Sequence, residues 1–140
     1  MAKYGPILIV EDDEDDQHVY GDVIRSFNKR NEIIFFGEAQ LLLDYLNTTH
    51  QQPFIIICDV NLPEMSGLEL RQKINESEFL RRKSIPFIFF STSENITTVR
   101  QAYDMTVQGY FVKSPLYDEI VQQLKLIIDY WISCRHPNKD

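Results

Sequence analysis

Phe54-Ile55-Ile56-Ile57-Cys58-Asp59-Val60-Asn61-Leu62-Pro63-Glu64-Met65-Ser66-Gly67 is the stretch from which the fold can be read. Its first five residues are continuously apolar and rich in β-branched side chains. A strand covered on both faces reads this way, whereas one with a wet face alternates. A carboxylate comes at once, then a turn-forming Asn, Pro and Gly before the next helical pattern. Four more short apolar runs share the character of the first: Ile7–Val10, Ile33–Phe36, Phe87–Phe90 and Tyr110–Val112.

Helical stripes separate the runs. Val19, Tyr20, Val23, Ile24 and Phe27 form one within Glu14–Lys29. Ala39, Leu42, Leu43 and Leu46 form a second. Leu116, Ile120, Leu124, Ile127, Ile128 and Trp131 form a long last one. Shorter stripes run from Leu68 to Ile74 and from Ile96 to Tyr103, with Ser66 capping the first and Asn95 or Ser93 the second. Strand and helix thus alternate five times, which predicts right-handed crossovers and an α/β fold around a parallel sheet. Asn75–Ser84, with Arg81, Arg82 and Lys83, reads as a solvated loop, and His136–Asp140 as a frayed tail.

The 140 residues predict one domain, able to bury roughly two thirds of its unfolded surface. The formal charge is −7, from 14 basic against 21 acidic residues. Six of those acids, Glu11 to Asp16, are consecutive, so the rest of the chain is close to neutral. No basic excess is present to grip nucleic acid. Cys58 and Cys134 make neither a disulfide framework nor a metal spacing, and Cys58 reads as a small buried hydrophobe. His18, His50 and His136 share no ligand spacing. No signal-peptide pattern and no run of the ~18 apolar residues of a membrane span is present, so a cytoplasmic protein is expected.

In parallel sheets of this kind, ligands bind beyond the carboxyl ends of the strands. Glu11 and Asp12 come directly after the first apolar run, and Asp59 after the third. Ser91 and Thr92 come after the fourth, and Lys113 after the fifth. Three carboxylates, a hydroxyl and an ammonium are therefore expected at one end of the sheet. Like charges packed there repel by on the order of 1–4 kcal/mol per pair, depending on effective dielectric. Proton uptake or a divalent cation relieves this. An all-oxygen donor set suits a hard ion such as Mg²⁺. A phosphoryl group on Asp59 would meet a cation, an ammonium and a hydroxyl, the electrostatic clamp that phosphoryl transfer needs. Asp13–Asp16 reads as a helix start favoured by the dipole, without chemistry beyond tuning the local field.

Ile-Leu-Ile-Val-Glu-Asp-Asp (7–13), Ile-Ile-Ile-Cys-Asp-Val-Asn-Leu-Pro-Glu-Met-Ser-Gly-Leu-Glu-Leu (55–70) and Gly-Tyr-Phe-Val-Lys-Ser-Pro (109–115) together resemble the response-regulator receiver domain of two-component signalling. The resemblance spans about residues 5–130 and is of the stand-alone, chemotaxis-regulator kind. It implies a doubly wound, five-stranded parallel sheet of order 2-1-3-4-5, the flavodoxin-like receiver fold. It implies Asp59 as phosphoacceptor and Mg²⁺ held by Glu11, Asp12 and Asp59, with Asp12 the direct ligand of the acidic pair. Asn61 would add its backbone carbonyl. Ser91 and Lys113 would bind the phosphoryl group, and Tyr110 with Ser91 would report the switch.

The implied partners are a sensor histidine kinase or phosphotransfer protein and a downstream protein target, with a homodimer as an open alternative. The signal would leave by the surface of the fourth predicted helix, fifth strand and fifth helix, near Arg100, Tyr103, Tyr110 and Tyr117. One receiver domain is expected over residues 5–133, with a short tail over 134–140 and no output domain. Two departures stand out. Ser114 intervenes between Lys113 and Pro115, where the family has proline directly and often a cis bond. Thr92 exceeds the small residue usual beside Ser91, which narrows access. An aspartate-nucleophile phosphohydrolase would need a second acid at Asn61, which cannot shuttle a proton. A phosphorylation-independent interaction module is the remaining alternative.

Overall fold

A computed structural model describes residues 2–137. The strands are β1 (Ile7–Val10), β2 (Ile33–Phe36), β3 (Ile55–Cys58), β4 (Phe87–Ser91) and β5 (Gly109–Val112). They form one parallel sheet of order β2-β1-β3-β4-β5, the order that the family resemblance implies. The helices are α1 (Glu14–Arg25), α2 (Ala39–Thr48), α3 (Gly67–Glu76), α4 (Glu78–Arg81), α5 (Ile96–Asp104) and α6 (Tyr117–Ser133).

Strand periodicity divides the apolar runs between two cores. Leu8, Val10, Ile56, Phe87 and Phe89 face one side, where Leu42, Leu46, Leu70 and Ala102 of α2, α3 and α5 meet them. Ile7, Ile9, Ile57, Ile88 and Phe90 face the other, against Tyr20 and Ile24 of α1 and Leu124 and Ile128 of α6. Each large side chain buried this way contributes about 1.5–3 kcal/mol of transfer free energy, so the central strands need no polar face.

Ser66 caps α3 by accepting from Glu69 N, and Asn95 rather than Ser93 caps α5 by accepting from Thr97 N. Two expectations are corrected. The stretch 75–84 is not all solvated loop, because Ser77 caps the short α4 and Leu80 is buried in the core beneath α2 and α3. A cap and one apolar residue suffice for a single turn, and the basic Arg81–Lys83 concealed it. The reading of a tail fails at His136, which is buried, 2% exposed, with Nε2 donating to Phe54 O at 2.6 Å. Its ring stacks on Phe54. Residues 138–140 of that stretch lie outside the described residues.

Candidate functional site

The sheet register brings the chemistry-bearing residues together. Val10 pairs with Cys58, and Ser91 with Val112, so the residues just past β1, β3 and β5 emerge at one edge beside the end of β4. The ladder continues one step outward through Glu11 N to Phe36 O, Asp59 N to Val10 O and Lys113 N to Ser91 O. Carboxylate oxygens of Glu11, Asp12 and Asp59 all lie within 4.8 Å of one another. Glu11 is buried, Asp59 half-buried and Asp12 exposed.

The loop from Asp59 to Gly67 shows why its sequence has that form. Asn61 N donates to Asp59 Oδ1 at 3.2 Å, an Asx turn that fixes the carboxylate. Glu64 takes a left-handed φ of 65°, and Gly67 N donates to Val60 O at 2.8 Å. A Cβ on Gly67 would overlap Asp59 O and crowd Phe89, so only glycine lets α3 start so close to the strand end.

Glu11 is the strained group of the site. Its Oε2 accepts from Asp13 N at 3.1 Å, but its Oε1 accepts no hydrogen bond despite being buried. Lys113 Nζ lies 3.5 Å away, an ion-pair distance. Burial pushes the Glu11 carboxyl up to about 7; the Asp13 amide opposes this, while the Asp59 charge adds to it. A buried carboxylate oxygen without a hydrogen bond, two further carboxylates and no nitrogen or sulfur donor fit a hard divalent cation.

Lys113 is nine-tenths buried, its ammonium 5.2 Å from the Tyr20 ring centre and 6.0 Å from that of Phe90. Its shortest ion pair is with Asp16 Oδ2, at 3.2 Å. This corrects the expectation that Asp13–Asp16 carries no chemistry beyond a field. Asp13 supplies both the α1 cap and the amide that holds Glu11, while Asp16 pairs with the site lysine. Gln17 also joins, its Nε2 donating to Glu11 O. Closeness in sequence to Glu11 and Asp12 could have flagged Asp13 and Gln17, but the Asp16–Lys113 pair spans 97 residues and leaves no local signal.

Ser91 is fully buried, and its Oγ accepts from Ser93 N at 3.2 Å. Ser93 O in turn accepts from the Tyr110 hydroxyl at 2.6 Å. Burial raises the Tyr110 pKa, and these serine contacts restrain the rise. Thr92 is exposed. The Lys113–Ser114 bond is trans, since the described residues hold no cis peptide.

The model of the response regulator receiver domain matches residues 7–125. The chain belongs to the response-regulator receiver family. Among relatives, this receiver is 26% identical over 131 residues to the response regulator Rcp1 of Synechocystis sp., covering 90% of this chain and 88% of Rcp1. The phosphorylated cyanobacterial phytochrome response regulator RcpA superposes with a TM-score of 0.87 at 26% identity, covering 95% of the receiver and 98% of RcpA. The Mn²⁺-bound form of Rcp1 gives 0.82 at 25% identity, covering 94% and 97%. An acidic cluster able to hold a divalent cation is thus present in a chain whose structural relatives include a metal-bound receiver.

Proposed function

We propose that Asp59 accepts a phosphoryl group from a phosphohistidine on a partner histidine kinase or phosphotransfer protein. The observation that carries this is the convergence of a half-exposed Asp59 with two further carboxylates and a buried ammonium at the carboxyl edge of the sheet. An Asp59 carboxylate oxygen attacks phosphorus, the phosphorus–nitrogen bond breaks, and the imidazole keeps the electron pair. The chemistry Mg²⁺ would supply when bound is neutralisation of charge on the transferring group. Glu11, Asp12, Asp59 and the Asn61 backbone carbonyl would hold it.

Lys113 and the Ser91 hydroxyl pair with the oxygens of the phosphoryl group, which adds roughly −1.5 to −2 charges. When Ser91 turns toward that group it releases Ser93 N, and Ser93 also holds the Tyr110 hydroxyl. The change passes to the surface of α5, β5 and α6. Tyr103, Val112 and Tyr117 are exposed there, and Tyr103 Oη accepts from Tyr110 N. The domain over residues 5–133 then signals by docking to a target protein and performs no turnover chemistry on a separate substrate. The setting we infer is cytoplasmic; no helix among the described residues is long and apolar enough to cross a membrane.

Incubation with acetyl phosphate and Mg²⁺, then intact-mass measurement, tests the reading. The wild type gains one phosphoryl group, and neither Asp59→Asn nor chelator-treated protein does. A phosphorylated Asp59→Asn protein, or an unmodified wild type with both acetyl phosphate and its kinase, overturns it.

A further inference from the structure

Of the acids that pair with Lys113, the nearest lies outside the three-carboxylate cluster. Asp16 Oδ2 stands 3.2 Å from Nζ and Glu11 Oε1 stands 3.5 Å away, whereas no ion pair joins Lys113 to Asp59 among the described residues. Lys113 has little room elsewhere, because its ammonium rests over the buried rings of Tyr20 and Phe90. Asp16 is fixed as well. Its backbone N–H donates to the capping Asp13 Oδ1 at 3.0 Å, which sets the first turn of α1 beneath the lysine. Its side chain is 41% exposed, so this partner carries a single, partly screened charge.

We propose that Asp16 is a positioning residue for Lys113. It holds the ammonium on the α1 side of the site and yields it to the phosphoryl group on Asp59. The inference rests on the proposed phosphorylation of Asp59. A phosphoryl group with nearly two charges outcompetes a half-exposed carboxylate for the same ammonium, so the exchange runs forward on phosphorylation and back on its loss. The Asp16 ion pair therefore opposes phosphorylation. Asp15 carries the same formal charge one residue away, is exposed and makes no ion pair with Lys113, and so separates contact from general field.

Two measurements on the full chain decide it. With acetyl phosphate and Mg²⁺, Asp16→Asn gains its phosphoryl group about fivefold faster than wild type, the scale of an ion pair with one half-exposed partner. Asp15→Asn stays within about twofold of wild type on the same scale, and Asp16→Glu returns toward the wild-type rate. Equal rates for Asp16→Asn and wild type, or equal acceleration by Asp15→Asn, overturn the proposal. The second measurement needs no phosphodonor or metal. The Lys113 ammonium resonance of metal-free protein, protected from exchange in wild type, loses protection in Asp16→Asn but not in Asp15→Asn. An unchanged signal in Asp16→Asn overturns the ion-pair hold. A wild type never phosphorylated on Asp59 sinks the functional reading instead, and the resonance still decides whether Asp16 holds Lys113.

Discussion

Glu11 and Arg71 are buried side chains of opposite charge, and the fold treats them in opposite ways. Arg71, on α3, reaches the turn between α5 and β5. Its Nε donates to Met105 O and its Nη2 to Thr106 O, each at 3.1 Å, and its guanidinium lies 5.2 Å from the centre of the Phe87 ring. Asn75 adds a bond to Met105 O at 2.9 Å. The positive charge thus meets the carbonyl end of α5, where the helix dipole is negative, and no carboxylate is needed. Burial pulls the Arg71 pKa down, yet its hydrogen bonds are made. Glu11 has comparable burial, but one of its oxygens accepts no hydrogen bond and meets only the Lys113 ammonium at 3.5 Å, with other carboxylates beside it. A satisfied buried charge marks a clamp. One left short marks a site awaiting something.

The contrast fails first if Arg71 is dispensable. Arg71→Leu removes the donors to two turn carbonyls and should lower unfolding free energy by about 3 kcal/mol, read from the urea midpoint. A loss under about 1 kcal/mol would mean that α5 is held by other contacts. Glu11→Gln should move stability the other way. In chelator near pH 8, removing an under-served buried charge should raise unfolding free energy by on the order of 1 kcal/mol. The same substitution should abolish most of the stabilisation that wild type gains on adding Mg²⁺. A destabilised Glu11→Gln protein with an intact metal response would erase the distinction.

The smallest effect lies at the other end of the sheet, where His136 meets Phe54 O. Burial holds its imidazole pKa below the ordinary value, so a proton binds the unfolded chain more readily. Its contribution is full above the unfolded pKa of about 6.5 and is lost as pH falls toward the lower folded value. Wild type should therefore lose up to about 1 kcal/mol more than His136→Gln between about pH 7.5 and about pH 5.5. Parallel thermal-midpoint curves for the two proteins would show that the ring does not titrate with unfolding.

The sheet was legible in the sequence because its three central strands are buried on both faces, so Ile7–Val10, Ile55–Cys58 and Phe87–Phe90 stand out as unbroken runs, and the half-buried edge strands keep the same apolar character. The carboxylate cluster was legible through the rule that places function at strand ends. The features that escaped depend on long-range partners. Asp16 looks like any acid at a helix start until β5 brings Lys113 over it. Arg71 sits in a weak helical stripe, and only the α5–β5 turn gives its charge a purpose. His136 carries no motif, and its role exists only because Phe54, just before the central strand, lies beside it.

The most direct test is to locate the phosphoryl group chemically. Wild-type receiver treated with acetyl phosphate and Mg²⁺ is reduced with borohydride, which converts an aspartyl phosphate to homoserine, and its peptides are sequenced by tandem mass spectrometry. The account predicts homoserine at position 59, dependent on the divalent cation. Homoserine at position 12 or elsewhere, with Asp59 unchanged, would contradict it.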